Sequence, residues 1–265
     1  MTALDQLFAK VRAENRAALI AYIPAGFPSQ AGCHRVIAAF IAGGVDAIEI
    51  GYPYSDPVMD GPTIQAAAVT SLANGTGAEE VLAALKFASA SVPAVVMTYW
   101  NPIERFGVDK FAVAIAANGG SGVITPDLTI EESVGWIGAT QASSINPIYV
   151  VAPSTKDARL AQVTSKCGGF VYAASLMGVT GARTSVSSGA GDLVARVRKT
   201  TDLPIAVGLG VSTREQAKGV AAYADGVIVG SAFIKAIQDA PSEEDGLKAV
   251  TELARELAKG VREGR

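Results

Sequence analysis

Two carboxylates, Glu49 and Asp60, stand eleven residues apart in the run EIGYPYSDPVMDGPTIQ, which spans residues 49–65. Glu49 falls on the alternation Val45, Ala47, Glu49, while Ile48 and Ile50 take the other face of the same apolar run. An ionised carboxylate on an apolar strand is costly to bury, and no Lys or Arg adjoins it in sequence. Burial of this kind raises a carboxyl pKa and lets the group hold a proton near neutrality, which is what a general acid requires. Asp60 follows a loop stiffened by Pro53 and Pro57 and begins Asp60-Gly61-Pro62. On spacing alone it serves equally well as a helix cap or as the second member of an acid/base pair. Asp56, in Ser55-Asp56-Pro57, reads as turn chemistry.

Two Gly-rich segments suit an anion. Gly208-Leu209-Gly210-Val211-Ser212 and Gly230-Ser231-Ala232 each follow an apolar run, and the second opens a helical stretch. Glycines let backbone amides approach a phosphate, and a helix N-terminus adds a favourable dipole. Tight turns alone would also account for these glycines. The long, small-residue-rich stretch 175–189 has the composition of a lid that closes over substrate. Tyr22, Tyr99, Trp100, Phe170 and Tyr172 lie near strand ends, with Phe170 and Tyr172 on one face, which suits a flat apolar ligand as well as a core.

Other chemistries are disfavoured. The one histidine, His34, sits mid-helix, so neither a Ser/His/Asp triad nor a His-based metal cluster is expected. Lys166 precedes the sixth strand and Lys235 lies inside a helix, which disfavours a Schiff-base lysine.

These residues must be positioned by a scaffold, and the chain alternates. Strands are expected at 19–23, 47–51, 94–98, 122–125, 147–151, 169–173, 204–208 and 226–229. Helices are expected at 29–42, 63–72, 78–88, 109–118, 130–140, 156–165, 191–199, 213–222, 231–238 and 242–261. Leu4, Phe8 and Val11 mark one face of a further, N-terminal helix. Eight β/α units in a chain of 265 residues fit an α/β fold, a (β/α)8 TIM barrel with an extra helix at each end. An open doubly wound sheet is the competitor. The turn Pro24-Ala25-Gly26-Phe27-Pro28 after the first strand, however, carries no dinucleotide fingerprint. No linker or composition shift divides residues 1–265, so one domain is expected.

The bulk numbers agree. With 49% hydrophobic and 18% charged residues, the chain can bury a large core. A net charge of −3 without basic blocks gives no sign of nucleic acid or an anionic membrane surface as partner. Charged residues interrupt residues 1–16, so no signal peptide is read there, and the longest early apolar run, 36–45, is too short to span a bilayer. Cys33 and Cys167 form no motif and are expected as buried thiols in the cytoplasm.

The run 49–65 resembles the signature of the tryptophan synthase alpha chain family. Phe170-Val171-Tyr172, Gly178-Val179-Thr180-Gly181, Val207 to Ser212, Gly230-Ser231-Ala232 and Ile124-Thr125-Pro126-Asp127-Leu128 are similar to further segments of that family. The resemblance implies cofactor-free retro-aldol cleavage of indole-3-glycerol phosphate to indole and glyceraldehyde 3-phosphate. It gives Glu49 the acid/base role and Asp60 the stabilisation of charge on the indole nitrogen. It places Tyr22 and Tyr172 in the substrate pocket, Thr180 and Gly181 on the closing loop, and Gly181, Gly210, Gly230 and Ser231 near the phosphate. No metal is implied. The implied partner is a pyridoxal-phosphate-dependent beta chain that receives the indole in an α2β2 heterotetramer, with contact expected at the loop 52–57. Met59 and Thr129 depart from the family pattern, which usually has a small residue and Pro at these positions.

Overall fold

The computed structural model describes residues 1–174 and 188–265. Eight parallel strands close into a barrel in sequence order: β1 (Ala18–Pro24), β2 (Ala47–Gly51), β3 (Ala94–Met97), β4 (Gly122–Thr125), β5 (Asn146–Val151), β6 (Val171–Ala174), β7 (Ile205–Gly208) and β8 (Gly226–Val229). The last strand pairs with the first, Ile20 against Ile228, so no edge is left exposed. This is the (β/α)8 barrel expected from the alternation.

Side-chain alternation divides the strand residues into two shells. Ala18, Ile20, Ala47, Val95, Ile124, Ile148, Ala206 and Ile228 fill the barrel interior. Leu19, Ala21, Ile23, Ile48, Ile50, Val96 and Val123 face the surrounding helices. Val45, expected on the inner face, precedes β2 and packs in the outer shell instead, because the bend at Asp46 breaks the alternation before Ala47. Helix α1 (Ala3–Ala13) closes the barrel floor with Leu4, Phe8 and Val11, and Phe8 meets Phe170 at 5.6 Å between ring centroids. Its capping box, Thr2 with Asp5, also receives the Asn146 side-chain amide at 3.0 Å to each residue, which ties α1 to β5.

Ten further helices follow the expected order: α2 (Gln30–Gly43), α3 (Pro62–Ala73), α4 (Ala78–Ser89), α6 (Val108–Ala117), α7 (Val134–Ala142), α8 (Asp157–Thr164), α9 (Ser188–Val197), α10 (Arg214–Ala221), α11 (Ser231–Gln238) and the C-terminal α12 (Glu243–Glu263). One helix was not expected, α5 (Trp100–Phe106). Its Pro102 lies in the first turn, where a missing N–H costs no hydrogen bond, and the Asp127 carboxylate accepts the Trp100 N–H at 3.0 Å. Several boundaries also moved, α9 beginning three residues early, and two of the shifts have a visible cause. Strand β6 begins two residues late because Gly169 adopts φ +67°. Helix α7 begins at Val134, four residues late, after a turn in which the buried Ser133 hydroxyl donates to the Ile130 carbonyl at 2.8 Å. Cys33 is buried, Cys167 is only partly so, and both are free thiols. Among the described residues, no helix is long and apolar enough to cross a membrane.

Candidate active site at the barrel mouth

Glu49 lies at the C-terminal end of β2, on the same inward face as Ala47, and is paired in register with Tyr22 of β1 and Val95 of β3. It is 1% exposed, and its Oε2 has no hydrogen-bond partner among the described residues. Burial first, and then the neighbouring Asp60 charge, push its carboxyl up to about 8. The group therefore holds its proton at neutral pH.

Asp60 reaches the same place by another route. Gly51 ends β2, and the chain turns through 52–60 before Pro62 starts α3 with Gly61 as its N-cap residue. Asp60 is thus not the cap that its spacing also allowed. Within the loop, the Asp60 N–H donates to the Pro57 carbonyl at 3.2 Å, and the Gln65 side-chain amide donates to the Asp60 carbonyl at 2.8 Å. Partial burial pushes the Asp60 carboxyl up to about 6, while a hydrogen bond from Tyr99 works in the opposite direction. The two carboxyls are thereby separated in proton affinity: near pH 7 one is an acid and the other a carboxylate.

Three tyrosine hydroxyls surround this pair. Tyr22 and Tyr172 are pushed well above the usual phenol range, by burial first and then by the Asp60 and Glu49 charges. Tyr99, at the end of β3, is also pushed up, mainly by burial and then by Asp60, and its hydroxyl accepts the Met59 N–H at 2.9 Å. Tyr99 stood only among the aromatic candidates in the sequence. Its hydrogen bond to Asp60 spans 39 positions, and no local pattern announces it.

Glycines make room for these rings. A Cβ at Gly51 would come within 2.4 Å of the Tyr22 hydroxyl, and one at Gly208 within 2.5 Å of the Tyr172 hydroxyl. One at Gly230 would come within 3.0 Å of Tyr22 Cδ1. Gly208 is therefore needed for ring packing, and Gly230 eases it, whatever they do for an anion. Gly210 differs: its φ is +65° and no atom lies within 4 Å of a Cβ placed there, so backbone conformation alone calls for glycine. Gly230 is the N-cap residue of α11 and offers no side-chain cap, so the first turn, beginning at Ser231, presents its amides at the mouth of β8. Thr180 and Gly181, and all of the expected lid except 188–189, lie outside the described residues. Among the described residues, no cluster of His, Cys, Asp or Glu could hold a metal ion.

Comparison with known proteins places this architecture. The family profile described as "Tryptophan synthase alpha chain" matches residues 8–262. The tryptophan synthase alpha chain of Thermobifida fusca is 54% identical over 266 residues, covering 99% of this chain and 98% of the relative. That of Streptomyces avermitilis is 53% identical, covering 98% and 95%. A solved structure of Mycobacterium tuberculosis tryptophan synthase superimposes with a TM-score of 0.92 at 48% identity, covering 98% of each chain. A tryptophan synthase alpha-subunit from Pyrococcus furiosus does so with a TM-score of 0.84 at 33% identity, covering 91% and 98%. With its closed barrel and this coverage, the chain belongs to the tryptophan synthase alpha chain family, an enzyme subunit of tryptophan biosynthesis.

Proposed function

We propose that this chain cleaves indole-3-glycerol phosphate into indole and glyceraldehyde 3-phosphate without a cofactor of its own. The observation that carries the reading is the division of labour between two adjoining carboxyls, Glu49 holding a proton and Asp60 ionised.

The reaction needs this division. Indole leaves as a carbon leaving group, so C3 of the ring must receive a proton, and Glu49 donates it. Positive charge then develops at the indole nitrogen, and the Asp60 carboxylate accepts a hydrogen bond from that N–H. The bond between C3 and the glycerol chain breaks, its electrons return to the ring, and the adjacent glycerol hydroxyl loses its proton as it becomes the aldehyde. Glu49, now ionised and with a high proton affinity, takes that proton and is reset. One proton has moved from oxygen to carbon, and nothing has been oxidised or reduced. Tyr22 and Tyr172 bound the pocket for the flat ring. Gly210, after β7, and Gly230 and Ser231, at the start of α11, hold the phosphate by backbone amides.

The indole passes to a tryptophan synthase beta chain, with pyridoxal phosphate in that partner and an α2β2 assembly. The expected contact at the loop 52–57 continues into Val58 and Met59, which are 80% and 55% exposed although both are apolar. Purified chain should release indole from indole-3-glycerol phosphate, faster with a beta chain present. Glu49→Gln should lower the rate at least about hundredfold. The pH–rate profile should be a bell, rising near 6 as Asp60 ionises and falling near 8 as Glu49 loses its proton. Full turnover by Glu49→Gln would overturn the assignment, and no release by the wild type under either condition would move the search to other phosphorylated substrates.

A further inference from the structure

We propose that Tyr99 is a positioning residue for this reaction, a strut whose hydroxyl bridges the Asp60 loop to the end of β3 and fixes the Asp60 carboxylate as a hydrogen-bond acceptor aimed into the mouth. The inference rests on the cleavage reading for its kinetic arm and on geometry alone for its structural arm.

Tyr99 is 5% exposed and is the N-cap residue of α5, so its backbone is held by the barrel rim. The adjoining Trp100 N–H is fastened by the Asp127 carboxylate at 3.0 and 3.1 Å. From this rigid base the phenol reaches the loop. Its oxygen accepts the Met59 N–H at 2.9 Å, which leaves its hydrogen free to be given to an acceptor in the mouth. The Tyr54 ring lies 5.3 Å from the Tyr99 ring and adds a second hold on the same loop. The loop makes only short-range backbone bonds of its own near Asp60, such as Asp60 to Pro57. The tyrosine oxygen thus ties Met59, the residue before Asp60, to the scaffold.

Among the described residues, the groups that face this pair come from four strands and from Tyr54 of the loop itself. Glu49 on β2, Tyr22 on β1 and Tyr172 on β6 interact with Asp60 across the mouth, and Asp127 interacts with Tyr99 from the β4 side. Among these, Tyr99 is the group that lowers the Asp60 proton affinity. Removing the hydroxyl leaves burial unopposed.

The test is Tyr99→Phe, which keeps the ring and its packing on Tyr54. Indole release should fall about tenfold, with the acidic limb of the pH–rate profile moved to higher pH and the alkaline limb unmoved. Added to Asp60→Asn, the same change should cost almost nothing further, because the strut then has no carboxylate to hold. A readout without substrate accompanies these: carbon-13 NMR of the Asp60 carboxyl should titrate at higher pH in Tyr99→Phe than in wild type. An unmoved acidic limb, or a full additional loss on Asp60→Asn, would mean that Tyr99 is only a packing residue. If wild type releases no indole, the cleavage reading fails, and the carboxyl titration still decides the strut by itself.

Discussion

At the barrel mouth Glu49 and Asp60 are desolvated, and no cation of the described residues contributes to their proton affinities. At the opposite end two other acids, Asp46 and Asp225, are gripped from several sides. Asp46 precedes β2 and accepts the Leu19 N–H at 2.9 Å and both Arg16 terminal nitrogens at 2.9 Å. Asp225 precedes β8 and accepts the Ile205 N–H at 3.0 Å, with Arg198 and Arg265 each at 3.0 Å. Each of these aspartates returns its own N–H to the carbonyl of the strand residue it serves, Leu19 or Ile205, so each stitches two parallel strands by a two-way clasp. Carboxylates gripped in this way hold strands together, while the raised carboxyls of Glu49 and Asp60 are groups whose protonation can change during a reaction. The barrel thus separates the end that keeps it folded from the end to which the chemistry is assigned by the proposed function.

The largest expected effect sharpens that contrast through pH. Glu49 binds a proton more tightly in the folded chain, at about 8, than in the unfolded chain, near the ordinary 4.5. Between those values the folded state carries more protons, so wild-type stability falls as pH rises. The loss is complete above about 8 and absent below about 4.5. Glu49→Gln has no proton to lose, so its stability advantage should widen by up to about 1.4 kcal/mol per pH unit across the window, on the order of 5 kcal/mol in all. Urea melts of both chains at pH 5 and pH 8.5 measure this. A gap independent of pH would mean that Glu49 is solvated or paired after all. The variant that should lose activity is therefore the one expected to fold better at alkaline pH, which is the cost borne by a site kept ready for proton transfer.

Asp225→Ala should do the opposite. It strands the Ile205 N–H and removes the acceptor of two arginines, one of them 39% exposed on its side chain and so partly screened. The expected loss is about 3 kcal/mol of stability. Turnover per folded molecule should be unchanged, since no described element of the mouth touches Asp225. A variant that kept its stability but lost turnover would break the division between the two ends.

Much of the architecture was legible in the chain because it rests on local pattern. Eight apolar runs set off by Gly, Pro and Ser specify strands, and the amphipathic stretches between them specify crossover helices, so the closed barrel follows from counting. Glu49 stood out because an acid on an inward strand face breaks the local pattern. Asp46 and Asp225 did not, because an Asp in a turn before a strand looks ordinary until Arg16, Arg198 and Arg265 arrive from 30, 27 and 40 positions away. Tyr99 was hidden for the same reason, and α5 was hidden by its seven-residue length and its internal Pro102. Gly208 and Gly230 were read as an anion cradle, yet their lack of a side chain also admits Tyr172 and Tyr22, a demand set by rings far off in sequence.

That second demand gives the smallest expected effect, and it lies where scaffold and site meet. Gly51 is the last residue of β2, two beyond Glu49, with no positive φ that would require glycine. Its need is steric: a methyl group there would sit 2.4 Å from the Tyr22 hydroxyl and 2.7 Å from two ring carbons. Real Cβ atoms do not approach so closely, so the Tyr22 ring must move in Gly51→Ala. Overpacking of this kind costs about 1–3 kcal/mol, and the displaced ring should raise KM for indole-3-glycerol phosphate more than it lowers kcat. Tyr22→Phe deletes the closest of the three clashing atoms. Combined with Gly51→Ala, it should recover part of the lost stability, because the two changes act on one contact. Strictly additive losses in the double variant would show that the glycine is needed for the course of the strand and not for the ring above it.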